Sequence, residues 1–250
     1  MSLENKVAIV AGGSRDIGRA VSEALAAEGA KVVVNYFNNT KEGETTVASI
    51  KGAGGDAIAV RGDMTKQSDV EKLVAEARKA LGDTIHVLVN VVGGLVARRP
   101  LAEMDEEFFE YVMKLNVTST FRTTKAVVPH MGDGGSIVNF SSQAGRDGGG
   151  PGASAYASAK GAIMTFTRGM AKELGPSDIR VNCVCPGMIS TTFHDTFTKD
   201  QVRANVASAT PLRRAGQAKE VADPAIYLAS PASRFITGAS VDINGGKFFS

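Results

Sequence analysis

Two cysteines are the only thiols in this chain, Cys183 and Cys185. Residues two apart on a strand face one side, too close in sequence for an ordinary disulfide staple, so both read as reduced thiols of a reducing compartment. Histidine is nearly as scarce: His86, His130 and His194 are scattered. A metal site needs more ligands, closer together, and no metal is expected. Charge of one sign does not accumulate either. Lys and Arg number 28 against 26 Asp and Glu, with no long basic run, which argues against a nucleic-acid-binding surface. No apolar run approaches membrane-spanning length, and the stretch Met1-Ser-Leu-Glu-Asn-Lys6 carries no apolar signal core. The expectation is a soluble, cytoplasmic protein without nucleic-acid or membrane partners.

What the chain does have is a rhythm. Its 250 residues, 43% hydrophobic and 22% charged, are enough for one sizeable core, and residues 1–250 read as one domain. Short apolar runs at 7–11, 31–35, 57–60, 86–90, 136–140, 180–184 and 240–243 read as strands. Helical patterns separate them: 17–28, 40–51, 67–81, a long helix from 105 to about 129, the segment around Tyr156, and 218–229. Continuous apolar strands alternating with helices predict an α/β fold, a single doubly wound parallel sheet covered by helices on both faces. Residues 188–213 break the rhythm and read as a lid over a substrate.

Ligands of such sheets sit beyond the carboxyl ends of the strands, where the strand order reverses. There the first strand runs into Gly12-Gly-Ser-Arg-Asp-Ile-Gly18. Glycines let the backbone turn tightly against a pyrophosphate, and the following helix offers N–H donors and positive potential. The second strand ends Asn35-Tyr36-Phe37 without the acid that binds an NAD ribose, while Arg15 in the turn suits a 2′-phosphate. NADP(H) is therefore expected over NAD(H). Further on, Tyr156 and Lys160 stand four residues apart in an alanine-rich helical segment, which places them on one face. A phenol titrates near ~10, and proton exchange at neutral pH asks for a fall of about 3 units, roughly 4 kcal/mol. A lysine cation alongside would do part of that work.

Six segments in order carry more. They are Ala11-Gly12 through Asp16-Ile17-Gly18, Asn90-Val91-Val92-Gly93, Leu115-Asn116-Val117, Ser141-Ser142 with Tyr156 and Lys160, Pro186-Gly187 through Thr191, and Asn244-Gly-Gly246. Together they resemble the short-chain dehydrogenase/reductase family over essentially the whole chain, which implies a Rossmann-type fold and reversible hydride transfer between a nicotinamide and a carbonyl or secondary alcohol. The resemblance implies Tyr156 as proton donor, Ser142 holding the carbonyl oxygen, Lys160 binding the nicotinamide ribose and Asn116 holding a proton-relay water. It further implies a cofactor set of Gly12, Ser14, Arg15, Ile17, Gly18, Asp63, Met64, Asn90, Gly93, Tyr156, Lys160, Pro186, Gly187, Ile189 and Thr191, and a homotetramer. Asp16 departs from the family glycine and brings a carboxylate toward the pyrophosphate; Val91 and Val92 are bulkier than the family pair.

The substrate is expected to be a small polar ketone, of keto-sugar or sugar-acid type, touching Gln143, Arg98, Arg146 or His194. Arg98, Arg99 and Arg146 lie in loops after the fourth and fifth strands. Phe193 and Phe197 stand in the lid stretch. Asp133 and Asp178 occupy stretches where, by resemblance, acyl-carrier-protein reductases present positive charge; that disfavours a 3-oxoacyl carrier substrate. A cofactor-binding scaffold without activity is the remaining alternative.

Overall fold

The computed structural model describes residues 2–250, and the side chain of His194 lies outside the described residues. In chain order the elements are β1 (Val7–Ala11), α1 (Asp16–Ala27), β2 (Lys31–Tyr36), α2 (Thr40–Gly52), β3 (Asp56–Arg61), α3 (Gln67–Leu81) and β4 (Ile85–Asn90). Then come α4 (Glu106–Met113), α5 (Ser119–Val127), β5 (Met131–Phe140), α6 (Ala144–Asp147), α7 (Ser154–Leu174) and β6 (Arg180–Pro186). The chain finishes with α8 (Thr192–Phe197), α9 (Asp200–Ala209), α10 (Ala218–Ala229) and β7 (Ser240–Ile243). All seven strands pair in parallel, in the order β3-β2-β1-β4-β5-β6-β7. The order reverses between β1 and β4, whose carboxyl ends, Ala11 and Asn90, are register partners.

The inner strands are largely apolar because both faces are covered. Ala8, Val10, Val32, Val34, Val87 and Val89 pack with residues of α1 and α10 on one face. Ile9, Val33, Leu88, Ile137 and Val181, one residue out of step, pack with α3 and α7 on the other. Side chains alternate across a strand, so a five-residue run supplies both layers. Each buried valine, leucine or isoleucine contributes about 1.5–3 kcal/mol, and these two layers anchor the strand ends that carry the site.

Most boundaries fall within two residues of the sequence expectation; two differ by more, and one of these matters for function. The long helix expected from 105 to about 129 is two helices, α4 and α5, joined by a π turn over Lys114–Thr118. The Asn116 amide donates to the Val112 carbonyl, and the Ser119 and Thr120 hydroxyls donate to the Leu115 and Asn116 carbonyls. Side chains that bond preceding carbonyls compete with the regular ladder and loosen it. Strand β5 starts at Met131 rather than Ser136, with a register irregularity between Ile85 and Val87 of β4. Residues 188–213 are not structureless: they hold α8 and α9.

Candidate active site

Where the strand order reverses, the carboxyl ends of the strands open into a cavity of about 740 Å³. At one end lies the glycine turn. Gly12 has φ +80°, and a Cβ on Gly18 would stand 1.9 Å from the Gly12 carbonyl oxygen, so the turn closes only without side chains at these points. Asn35 holds it from β2. Its side-chain oxygen accepts the Gly12 N–H at 3.1 Å, its carbonyl accepts the Gly13 N–H at 2.9 Å, and its amide donates to the Gly62 carbonyl at 3.1 Å. The first N–H groups of α1 have no intrahelical acceptor, which gives this end an anion-binding character. Ser14, Ile17, Gly93, Pro186, Gly187, Ile189 and Thr191 also line the cavity. Arg15 lines it too, largely exposed, among Tyr36, Phe37, Asn38, Asn39 and Glu42.

Three residues of the expected cofactor set stand elsewhere. Asp63 accepts the Thr65 N–H and hydroxyl at 2.9 and 2.7 Å, capping the turn after β3. Met64 is buried in the core beneath β1 and β2. The Asn90 amide donates to Asn139 at 2.9 Å and to Thr124 at 3.3 Å, and its oxygen accepts the Thr123 hydroxyl at 2.6 Å. A buried amide needs such partners, so Asn90 cross-links β4, β5 and α5 and does not face the cavity.

At the other end, α7 presents Tyr156 and Lys160 one turn apart, as the spacing predicts. Lys160 is buried; its Nζ donates to the Phe140 carbonyl at 2.8 Å and lies 5.7 Å from the Tyr156 ring centre. Tyr156 and Ser142 line the same cavity, and the Ser142 oxygen accepts the Ala144 N–H at 3.2 Å. Asn116 is fully buried, exchanging hydrogen bonds of 3.0 Å with Gly94. It does not line the cavity, yet it stands close by: a Cβ on Gly93 would fall 2.4 Å from Asn116 Oδ1 and 3.0 Å from Lys160 Nζ. The π turn aims Asn116 here.

The electrostatics correct one expectation. Burial pushes the Tyr156 phenol up to about 12, with the neighbouring Ser142 hydroxyl pulling the other way. Burial likewise pushes Lys160 down to about 8, against the opposing pull of Cys183 and Cys185. Desolvation is the largest influence on both groups. The phenol keeps its proton at neutral pH, which is the form a proton donor requires.

On the substrate side only some expected residues arrive. Gln143 lines the cavity and donates to Asp147 at 2.8 Å. Arg98 also lines it, but its guanidinium donates to the Phe197 and Pro151 carbonyls at 3.3 and 3.1 Å. Arg146 turns away: it pairs with Asp242 at 3.1 Å and donates to the Ser240 carbonyl at 2.8 Å, both ionic side chains mostly buried. A guanidinium that finds a buried carboxylate stays with it, so Arg146 ties α6 to β7 and is not a substrate ligand. Arg99 pairs with Asp105 and lies over the Phe108 ring. His194 was a further candidate, and its side chain lies outside the described residues. Asp133 and Asp178 sit toward the amino ends of β5 and β6, opposite the cleft, so their charge does not border its mouth.

What the sequence reading left unresolved is an aromatic wall. Tyr156, Phe193 and Phe197 follow one another at ring separations of 6.0 and 5.1 Å, and Leu95, Val96, Leu115 and Val206 line the same cavity. Val96 has φ +66°, in a tight turn closed by the Ala97 N–H to the Leu95 carbonyl at 2.8 Å. A β-branched residue held there costs on the order of 1–3 kcal/mol, and such strain collects at functional sites. Helix α8 presents Phe193 and Phe197 four residues apart toward Tyr156 of α7, while Leu95, Val96, Leu115 and Val206 come from other segments, so no single periodicity marks the set.

Comparison with known proteins agrees with this geometry. A family model described as enoyl-(acyl carrier protein) reductase matches residues 11–247. The 3-oxoacyl-[acyl-carrier-protein] reductase of Synechocystis is 38% identical over 248 residues, covering 98% of each chain. Versicolorin reductase 1 of Aspergillus parasiticus is 36% identical over 257 residues, covering 98% of this chain and 97% of the other. The crystal structure of a blue fluorescent protein from a metagenomic library, in complex with NADPH, superposes with TM-score 0.92 at 33% identity and 99% coverage of both chains. The chain belongs to the short-chain dehydrogenase/reductase family and is an NAD(P)-dependent oxidoreductase.

Proposed function

We propose that this protein reduces a ketone with NADPH, Tyr156 delivering the proton. The observation that carries this reading is the convergence of Ser142, Tyr156 and the buried Lys160 amine on the cavity that also holds the glycine turn. The cradle fits a dinucleotide: Gly12, Gly18 and Gly93 line the cavity with bare backbone, and the start of α1 faces the same space. Ser14, Ile17 and the Gly187–Thr191 stretch would hold it, with Thr191 at the carboxamide. The bound cofactor supplies hydride to the carbonyl carbon. Tyr156 gives its proton to the carbonyl oxygen, and Ser142 donates a hydrogen bond as charge develops there. Lys160 holds the ribose side of the site, and Asn116 fixes the loop beside it. Arg15 would pair with the 2′-phosphate, a reading supported by its exposure at the cavity rim, where Asp16 and Glu42 are the carboxylates beside it.

The polar-ketone reading loses its main support with Arg146 turned away and Arg98 engaged by carbonyls. The wall of Tyr156, Phe193 and Phe197 favours instead a free ketone with an aromatic or bulky apolar flank beside the carbonyl. A 3-oxoacyl carrier substrate stays as the second reading, because a 38% identical relative carries that name and the acidic pair does not guard the cleft. Residues 188–213 act as the lid in either case, and 1–250 as one catalytic domain. A homotetramer is proposed from exposed Phe109 and Phe121 on α4 and α5, to be checked by light scattering. The test is Tyr156→Phe, which removes only the acidic hydroxyl. Turnover falls about 10²–10⁴-fold while NADPH fluorescence titration stays unchanged. Retention of more than about a tenth of turnover contradicts the assignment. Faster reduction of an acetoacetyl carrier thioester than of any aryl ketone selects the second reading.

A further inference from the structure

Asp16 is the one residue of the glycine turn that departs from the family pattern, and it has positive φ, +49°. An L residue rarely takes this conformation without compensation, though aspartate tolerates it better than most. Here the compensation comes from far along the chain. Asp16 Oδ1 accepts the Thr192 N–H at 3.0 Å, and Oδ2 accepts the Thr192 hydroxyl at 2.5 Å. The two residues are 176 positions apart. Thr192 opens α8 and follows Thr191; both line the cavity, as do Phe193 and Phe197 of the same helix. Arg15 approaches the carboxylate only to 3.9 Å and is largely exposed, so it does not draw Asp16 away. The contact bridges the two rims of the cleft, the turn after β1 and the segment after β6.

We propose that Asp16 is a positioning residue: its two hydrogen bonds to Thr192 latch residues 188–213 across the cleft and hold Thr191 and the Phe193–Phe197 wall against the cavity. A glycine at position 16 has no side chain to make this bridge. A carboxylate acceptor makes both bonds charge-assisted, stronger than neutral ones. The latch slows opening of the segment and therefore exchange of the dinucleotide. This second consequence rests on the cofactor reading given above; the first does not.

The test begins with the empty protein. Lys199 and Arg203 place tryptic sites within the latched segment, between the Thr192 turn and the end of α9. Asp16→Gly removes the latch and the unfavourable φ together, and Thr192→Val removes the hydroxyl bond alone. Limited trypsin digestion should cut after Lys199 and Arg203 about three- to tenfold faster in Asp16→Gly and less so in Thr192→Val. The double variant should be no faster than Asp16→Gly, because both changes act on one contact. Stopped-flow displacement should then show NADPH leaving Asp16→Gly faster by a similar factor. Wild-type cleavage rates in both single variants overturn the proposal, as does an independent, multiplying effect in the double variant. Failure of the wild-type protein to bind NADPH would sink the cofactor reading alone, since the latch is measured without it.

Discussion

Lys160→Met separates catalysis from stability. The amine is buried and held down to about 8 by desolvation. Against a usual value near 10.5, the depression means that keeping this lysine charged in the fold at pH 7 costs about 3 kcal/mol. Methionine fills much of the same volume without charge, but leaves the Phe140 carbonyl, 2.8 Å from Nζ, without that donor. An unmet buried acceptor costs roughly 1–2 kcal/mol, so a net gain of about 1–2 kcal/mol remains at pH 7, a rise in Tm of a few degrees at this chain length. The sign with pH follows from proton counting. Between about 8 and 10.5 the folded wild-type protein has released this proton and the unfolded chain retains it. Wild-type stability at this site therefore rises with pH across that window. The advantage of Lys160→Met should shrink from pH 7 to pH 10 and reverse near the top of the window. Paired melting curves measure it, and other titrations cancel in the difference. Turnover should be lost at every pH. A Tm difference that is flat with pH, or a variant less stable at pH 7, refutes the claim that desolvation dominates Lys160.

Two further outcomes follow from the placement of arginines. Arg15→Ala should raise KM for NADPH about tenfold or more and leave NADH within about twofold, because a charge-assisted phosphate contact disappears; equal losses for both cofactors reject the 2′-phosphate role. Arg146→Ala should lower stability by about 2–4 kcal/mol by leaving Asp242 buried without its partner, while KM for the ketone changes little. A large rise in KM with unchanged melting would restore Arg146 as a substrate ligand.

The sequence by itself determined the sheet and the catalytic face. Runs such as Val7–Ala11 and Lys31–Tyr36 need burial on two sides, and that alone calls for parallel strands between helices. Tyr156 and Lys160 share a face because four residues make about one helical turn, and the glycine turn follows β1 directly. These are local rules, legible at short separation. Only the tertiary structure decided which polar side chains reach the cleft. Asn90 and Arg146 stand beside it in sequence, but buried partners 49 and 96 positions away hold them elsewhere. The π turn that aims Asn116 depends on where Gly94 lies. Asp16 was readable as a departure, yet its purpose depends on Thr192. Burial, not the neighbouring cation, set Tyr156 and Lys160, because desolvation depends on everything packed around a group. Pair spacing in the sequence does not carry that sum.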